Sequence, residues 1–205
     1  MRTGRAIVAA LAVLALGSVA TAAERLVLGP YPGMVWHDVA GQSNGARFFR
    51  EQMPEGQTPA NFQDLMTAQS IINFSGPPAQ FLTATFAQLS QNCDGVETVG
   101  PTVAVEDGRP VAYGRLYCGH QKGQPNGAHI FFKVIRGNDA LYVVDRDFKI
   151  PPSDHPSAPV LPEAQVIPFL QAEGVAKKYL TDQVFVCDPA LPDPKCTGVA
   201  VAPGR

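Results

Sequence analysis

The stretch from Val96 to Phe148 constrains the fold more than any other part of the chain, because its apolar residues recur with a period of two. Four runs rich in Val, Ile, Tyr and Phe follow one another there, each typical of a β-strand: Val96–Glu106, Pro110–Cys118, Ala128–Arg136 and Ala140–Phe148. Short connectors that contain Gly, Asn or Asp separate these runs, which predicts an antiparallel meander. In the third strand, Ile130, Phe132 and Val134 are expected to face helices, whereas His129 and Lys133 point to the opposite side.

Before the meander, the sequence predicts a β-hairpin and two helices. Met34–Ala40 and Ala46–Met53 flank Asn44-Gly45, a dipeptide that favours the tip of a hairpin. Thr58-Pro59 then resembles a helix start, which predicts a first helix over residues 59–72. After a Pro-rich break, four residues recur at helical spacing and predict a second helix with a cysteine at its end: Leu82, Phe86, Leu89 and Cys93.

After the meander, the five prolines between Ile150 and Pro162 predict an extended crossing loop. A last helix is expected to begin near Pro168, because a proline deep inside a helix breaks it. Val184–Cys187 predicts a short edge strand. This order of elements lacks the β–α–β alternation of parallel sheets. The predicted fold class is therefore α+β, an antiparallel sheet made of the N-terminal hairpin and the four-stranded meander, with helices packed on it.

Residues 1–22 have the three parts of a secretory signal peptide. Arg2 and Arg5 precede an apolar run over residues 6–16, and the small residues Ala20-Thr21-Ala22 precede the expected cleavage site. We therefore expect a periplasmic or secreted protein with a single domain over residues 23–186 and a Pro-rich, disulfide-looped tail over residues 187–205. The apolar run is about half as long as a bilayer-spanning helix, so no membrane span is expected.

The charge of the chain excludes two classes of partner. Loss of residues 1–22 removes two arginines and no acid, which changes the net charge from −2 to −4. Nucleic acids and anionic lipids select surfaces rich in Lys and Arg, so neither is an expected partner. An envelope protein or a small ligand remains, and no cofactor is predicted.

The four cysteines predict two disulfides, since an even number of cysteines in an exported chain favours bridges. Three pairings are possible. Cys187 and Cys196 enclose a short segment whose prolines prevent helix and sheet, so a local bridge is expected there, which leaves Cys93 to pair with Cys118. A structural zinc site would need closely spaced Cys-x-x-Cys pairs, and the sequence has none.

The stretch Arg50–Thr58, which runs into Asn61–Gln69, resembles a motif of uncharacterised exported bacterial proteins. In those proteins a strand ends in a Pro-x-Gly-Gln/Glu-Thr turn, and a helix follows that carries an aromatic residue and a Thr-x-Gln. This chain has Phe62 where that motif has Trp. The group is similar in outline to the small α+β sandwiches of the PsbP and DcrB type. The resemblance implies a fold and an export address, but no catalytic residues.

Residues 41–45 match the Gly-x-Ser-x-Gly elbow of serine hydrolases, and this match supports an alternative function, a small secreted ester hydrolase that uses Ser43. Asp154 and His155 are its candidate acid and base, and Gly137-Asn138-Asp139 is its candidate oxyanion element. An elbow needs a parallel strand followed by a helix, whereas residues 46–53 resemble a strand. We therefore expect Ser43 to lie in a plain hairpin turn.

His120, His129 and His37 are the candidate ligands of a zinc or copper ion. A metal site needs three or four ligands, and none of these histidines has a carboxylate at helical or strand spacing. We expect solvent-exposed histidines and no metal.

Asp145-Arg146-Asp147 places two carboxylates on one face of a strand and a guanidinium on the other. Paired acids can act in general acid and base catalysis, but a solvated acidic pair is the expected structure, with Arg115 as the partner of one of them.

Several aromatic residues lie in adjacent predicted strands, where they form either the core or the lining of a cleft for a small apolar ligand: Tyr113, Tyr117, Phe131 and Tyr142. Trp36, the only tryptophan, is expected to bury its ring.

The favoured function is a non-enzymatic exported domain that binds a protein or a small ligand in the cell envelope. The loops Gly119–Gly127 and Ile150–Pro162 are the expected binding surface, because loops on a rigid scaffold often carry function. If they do, one exposed face should contain His120, Lys122, Asp154 and His155.

Overall fold

The computed structural model describes residues 24–44, 47–154, 161–189 and 193–196. Its elements follow in this order: β1 (Arg25–Leu28), β2 (Trp36–Asn44), β3 (Arg47–Pro54), β4 (Asp64–Ile72), α1 (Pro78–Ser90), β5 (Cys93–Glu106), β6 (Arg109–Gln121), β7 (Gly127–Arg136), β8 (Ala140–Ile150), α2 (Glu163–Asp182), β9 (Val184–Cys187) and a 3₁₀ turn (Pro194–Cys196). Seven strands form one antiparallel sheet in the order β2-β3-β4-β8-β7-β6-β5, and β1 pairs with β9. The predicted α+β class, the hairpin and the meander are confirmed.

The two helices cover opposite faces of the sheet. Leu82 and Phe86 of α1 belong to one buried cluster, together with Ile130, Phe132 and Val134 of β7. On the other face, α2 contributes Ala176, Tyr179 and Leu180 to a second cluster that includes alternate residues of β6, β7 and β8. Strand β7 is therefore buried on both sides, which explains its nearly unbroken apolar sequence.

The predicted helix over residues 59–72 is wrong, because residues 64–72 form β4. This strand pairs with β8 along its whole length, from Asp64 opposite Phe148 to Ile72 opposite Ala140. Met66 and Ala68 alternate into the core, so the segment also fits a period of two, and pairing with distant strands decides between the two patterns. Thr58 does not cap a helix. It donates its backbone N–H to Asn61 Oδ1 at 2.7 Å, in the turn that leads into β4.

Two helix boundaries also differ from prediction. Helix α2 begins at Glu163 and contains Pro168 in its second turn. This turn is exposed, so water can reach the carbonyl group that Pro168 leaves without a helical donor. Helix α1 ends at Ser90, and Cys93 is the first residue of β5.

One predicted hairpin turn lies where its sequence indicates, and another is displaced along the chain. Asp107 (φ 48°) and Gly108 (φ 77°) form the two-residue turn between β5 and β6, and both have the positive φ that a type I′ turn requires. Asn44 lies opposite Arg47 in the ladder, so it belongs to β2 and not to the turn that was predicted there. Residues 45 and 46 lie outside the described residues.

Both predicted disulfides are confirmed, Cys93–Cys118 and Cys187–Cys196. The first joins β5 to β6, and the second joins the end of β9 to the 3₁₀ turn. Val184–Cys187 is a strand as predicted, although its partner is β1 and it does not join the main sheet. None of the described helices is both long and apolar enough to cross a membrane.

Candidate functional site

Two adjoining cavities lie between α2 and the outer strands of the sheet, and we refer to them together as the α2–β5 groove. The first has a volume of about 250 Å³ and includes Leu161 and Phe169 from the α2 side. The second has a volume of about 280 Å³ and includes Tyr113 from the sheet and Leu180 from α2. Val99 and Arg115 line both cavities, so the two spaces meet at this pair of residues.

Strand β5 is suited to form one wall of this groove because it is the outermost strand of the sheet. Val99 lies opposite Arg115 of β6, and the register then shifts by a bulge before Thr102 pairs with Tyr113. Pro101 lies at this bulge, a position that an edge strand tolerates because no ladder hydrogen bond is needed. As a result, Val99 keeps 42% of its surface exposed at the groove.

A buried ion pair forms the polar end of the first cavity. His129 Nδ1 of β7 lies 2.6 Å from Glu173 Oε1 of α2, and both side chains are at least nine-tenths buried. Burial opposes ionisation of Glu173, but its contact with His129 and the positive charges of His129, Lys177 and Arg115 hold its pKa below the ordinary value. His129 Nε2 and Glu97 Oε2 are among the buried side-chain atoms that have no hydrogen-bond partner in the described residues.

The second cavity has a different charge. Arg115 and Lys177 line it, and no carboxylate does. Lys177 Nζ lies 5.2 Å from the ring centre of Phe131, which lines the same cavity and faces α2. Within the described parts of the chain, no carboxylate comes within 4 Å of the Arg115 guanidinium. The groove therefore combines apolar walls with a half-buried cation that has no carboxylate within 4 Å in the described residues.

Ser43 is not in the setting of a hydrolase nucleophile. It lies exposed near the end of β2, opposite Phe48 of the antiparallel strand β3. The helix that an elbow requires after the serine is replaced by β3, so the sequence match has no structural counterpart. The amides of Asn138 and Asp139, the candidate oxyanion donors, donate instead to Glu24 Oε2.

The loops predicted to bind a partner lie side by side where they are described. Ser153 donates its backbone N–H to the Gly119 carbonyl at 2.9 Å. His120 Nδ1 and Lys122 Nζ each lie 3.9 Å from the carboxylate of Asp94, and Asp154 is exposed. His155 lies outside the described residues, so the binding role of this cluster stays a prediction.

The expectation that His129 is solvent-exposed is wrong, because the face opposite α1 is covered by α2. Lys133 is buried on the same face and donates to the Val184 carbonyl at 2.7 Å, with Glu106 Oε2 also 2.7 Å from its Nζ. His120, in contrast, is at the surface, where its Nε2 lies 2.9 Å from the Gln124 carbonyl. Across the described residues, no group of three or more His, Cys, Asp or Glu could hold a metal ion.

The Asp145-Arg146-Asp147 sequence has the predicted division between faces, but Arg115 is not the partner of either acid. Arg115 and Arg146 both lie opposite Phe131, on the face away from Asp145 and Asp147. Arg146 pairs with Asp64 instead. Its guanidinium also packs against two aromatic rings, and its central carbon lies 4.4 Å from the ring centres of both Tyr31 and Trp36. The pairing of Arg146 with Asp64 is not predictable from the sequence, because the sequence predicts that Asp64 lies in a helix and not in a strand beside β8.

The prediction of an aromatic cleft applies to three of the four residues. Tyr113 and Phe131 line the second cavity and Tyr117 lines the first, whereas Tyr142 is buried in the core and donates to the Glu24 carbonyl at 3.3 Å. The sequence-based prediction of the cleft does not include the wall that α2 forms. The signal for this wall is the pair of apolar residues Val166 and Leu170, which line the first cavity and remain 37% and 57% exposed.

No protein-family model matches this chain, and no curated protein matches it. Among solved structures, it is similar to the cyanobacterial PsbP (CyanoP) of Synechocystis sp. PCC 6803, with a TM-score of 0.41 and 12% identity over 83% of this chain and 96% of that one. It is also similar to LpqN of Mycobacterium tuberculosis, a protein involved in cell envelope biogenesis, with a TM-score of 0.40 and 13% identity over 80% of this chain and 84% of that one.

Proposed function

We propose that this chain is an exported, non-catalytic binding domain that holds a small amphipathic ligand in the α2–β5 groove. The main support for this proposal is the pair of cavities that meet at Val99 and Arg115. Binding sites for small molecules are concave and mostly apolar, with a few polar groups that orient the ligand. The groove has this composition, since its aromatic and aliphatic walls also include the polar side chains of Arg115, His129 and Glu97.

The mouth of the groove supports the proposal. Leu170 of α2 keeps 57% of its surface exposed, and Val166 of α2 and Val99 of β5, which also line the groove, keep 37% and 42%. Single exposed apolar residues are common, but a group of them beside an apolar cavity is typical of a binding surface. A ligand with an apolar body would cover part of this group and gain free energy from the area removed from water.

The proposed location is the periplasm or the cell exterior, with residues 1–22 as a cleaved signal peptide. Two disulfides support it, because such bridges persist in oxidising compartments. Mass spectrometry of the protein recovered after export tests this directly. We expect an N-terminus at Ala23, and a chain that retains Met1 outside the cytoplasm would contradict the signal-peptide interpretation.

Binding of the neutral fluorophore N-phenyl-1-naphthylamine tests the proposed groove. The dye should bind the native protein with increased emission. Val99→Trp should weaken binding by about tenfold or more, because the indole fills the point where the cavities meet. Val103→Trp is the matched control, since Val103 is an exposed valine of the same strand whose neighbour in the ladder, Ala112, packs on the α1 side. If the dye binds both variants with equal affinity, the groove is excluded as its binding site.

The cluster of loops is a second candidate, as a surface for an envelope protein. It is supported by the contact between Ser153 and Gly119, which brings the start of the proline-rich loop beside His120. A photo-crosslinking amino acid at Lys122 should give a discrete adduct in cells, whereas the same group at the exposed Lys178 of α2 should not. Identical adduct patterns at both positions would count against this surface.

A further inference from the structure

We infer that the ligand of the α2–β5 groove is an amphiphile with an anionic head, and that Arg115 binds this head. A single-chain monocarboxylate of the fatty-acid type is the simplest molecule of this class. The inference rests on the proposed function, because it assigns a chemistry to the same groove.

The position of Arg115 carries the assignment. Its side chain is half-buried where the two cavities meet, and among the described residues no carboxylate lies within 4 Å of its nitrogen atoms. A cation that is partly removed from water is unfavourable unless an anion or an acceptor compensates it. The planar guanidinium can give two parallel hydrogen bonds to a carboxylate, which makes it the side chain best suited to this head group.

The charges around Arg115 place the head in the second cavity. Lys177 joins Arg115 there, and no acid lines that cavity. Both acids of the groove, Glu97 and Glu173, line the first cavity. Glu173 already lies 2.6 Å from His129 and 3.9 Å from Lys177, and the charge of Arg115 acts on it from beyond 4 Å, so its charge is compensated. Glu97 would repel an anion in the first cavity.

The alkyl chain then has an apolar path along α2. From the second cavity it can pass Val99 and reach the part of the first cavity that Val166, Phe169 and Leu170 form. Burial of methylene groups is favourable and needs no directional partner, so a flexible chain fits this side of the groove. Glu97 and His129 line the same cavity, and these polar side chains would instead suit the hydroxyl groups of a sugar head.

Displacement of bound N-phenyl-1-naphthylamine by three amphiphiles of equal chain length tests the inference. Dodecanoate, dodecyltrimethylammonium and dodecyl maltoside are titrated at pH 7, each below its critical micelle concentration. Dodecanoate should displace the dye at a concentration about tenfold lower than the other two, since only its head can pair with Arg115. A maltoside that displaces the dye better than dodecanoate would overturn the inference and favour a hydroxyl-rich head.

Three charge variants separate the head-group claim from overall charge and folding. Arg115→Gln should still bind the dye, but its affinity for dodecanoate should fall by about tenfold or more. Lys177→Gln should lower the affinity for dodecanoate by about threefold. Lys178→Gln is the control, because it removes the same charge from the neighbouring, exposed position of α2. If Arg115→Gln binds dodecanoate like the wild type while the dye still reports the groove, the anionic-head inference is wrong and the proposed function stands. If the dye binds Val99→Trp and Val103→Trp equally, both fall.

Discussion

The carboxylate of Glu173 lies 2.6 Å from the imidazole Nδ1 of His129, so one buried ion pair joins α2 to the central strand β7 beneath it. The pair is at the inner end of the first cavity, next to Phe169 and Tyr117. Because α2 forms one wall of the groove and β7 belongs to the sheet, this contact fixes the distance between the two walls.

We expect Glu173→Gln to lower the free energy of unfolding by about 1–3 kcal/mol near neutral pH, because it removes a buried carboxylate that contacts His129 and interacts with Lys177 and Arg115. The pKa of Glu173 is lower in the folded protein, so its contribution is complete above the unfolded pKa of about 4.3 and is lost as the pH falls through the folded pKa. The difference between wild type and variant should therefore shrink between pH 6 and pH 3 in urea titrations.

Glu163→Gln provides the control for this prediction, since Glu163 is an exposed acid in the first turn of the same helix. It should change the unfolding free energy little at any pH in that range. A pH-independent difference between wild type and Glu173→Gln would mean that lost packing, and not the ion pair, causes the effect.

A second pH effect should come from Asp147, with the opposite sign. Burial raises the pKa of this carboxyl to about 7, opposed by the charge of Lys149 and reinforced by that of Asp64. The folded protein therefore keeps a proton that the unfolded chain releases above about pH 4. The stability from this group is complete below the unfolded pKa and is lost as the pH rises through 7.

Asp147→Asn should accordingly stabilise the protein at pH 8, by about 1–2 kcal/mol, and the gain should disappear near pH 4. Chemical denaturation at the two pH values measures this. Asp94→Asn is the matched control, because the Asp94 carboxylate is 64% exposed and its removal should have little effect at either pH. A gain that is the same at pH 4 and pH 8 would contradict the raised pKa.

The Cys93–Cys118 bridge should stabilise the domain more than Cys187–Cys196. The bridges join residues 25 and 9 positions apart, and the entropy of closing such loops in the unfolded chain gives about 3.5 and about 2.6 kcal/mol. Cys118 is also fully buried beside α1. Guanidinium titrations of the two double Cys→Ala variants should show the larger loss for the first pair, and the reverse order would show that the tail bridge has the greater structural role.

The sequence predicted the elements whose pattern is local and unambiguous. The four meander strands, the Asp107-Gly108 turn and helix α1 each have one dominant period or a specific turn dipeptide. The error at β4 has a physical cause: Asp64–Ile72 fits both helical and strand periods, and only its pairing with β3 and β8 selects the strand. Such long-range pairing is not visible in a short window of sequence.

The groove was predictable only in part, for a similar reason. Tyr113, Tyr117 and Phe131 lie on adjacent strands, so the sequence groups them as residues of the core or of a cleft, and all three line the cavities. The other wall comes from α2, which follows a proline-rich segment and was expected to begin later in the chain. The sequence predicts that Arg115 pairs with Asp145 or Asp147, but the register of β6, β7 and β8 shows that Arg115 faces the opposite side of the sheet.

Replacement by alanine should affect stability differently at two serines near the hairpin end of the sheet. Ser43→Ala should leave stability unchanged, because Ser43 is exposed near the end of β2 and the residues that follow form a strand. Ser70→Ala should lower the unfolding free energy by about 1 kcal/mol, because Ser70 Oγ accepts the partly buried backbone N–H of Phe48 at 2.9 Å. Thermal denaturation of both variants measures this difference in stability.

A fluorophosphonate probe tests the reactivity of Ser43. We expect no labelling, since a nucleophilic serine needs a neighbouring base and oxyanion donors, and the amides of Asn138 and Asp139 are already bonded to Glu24. Labelling that Ser43→Ala abolishes would restore the hydrolase hypothesis.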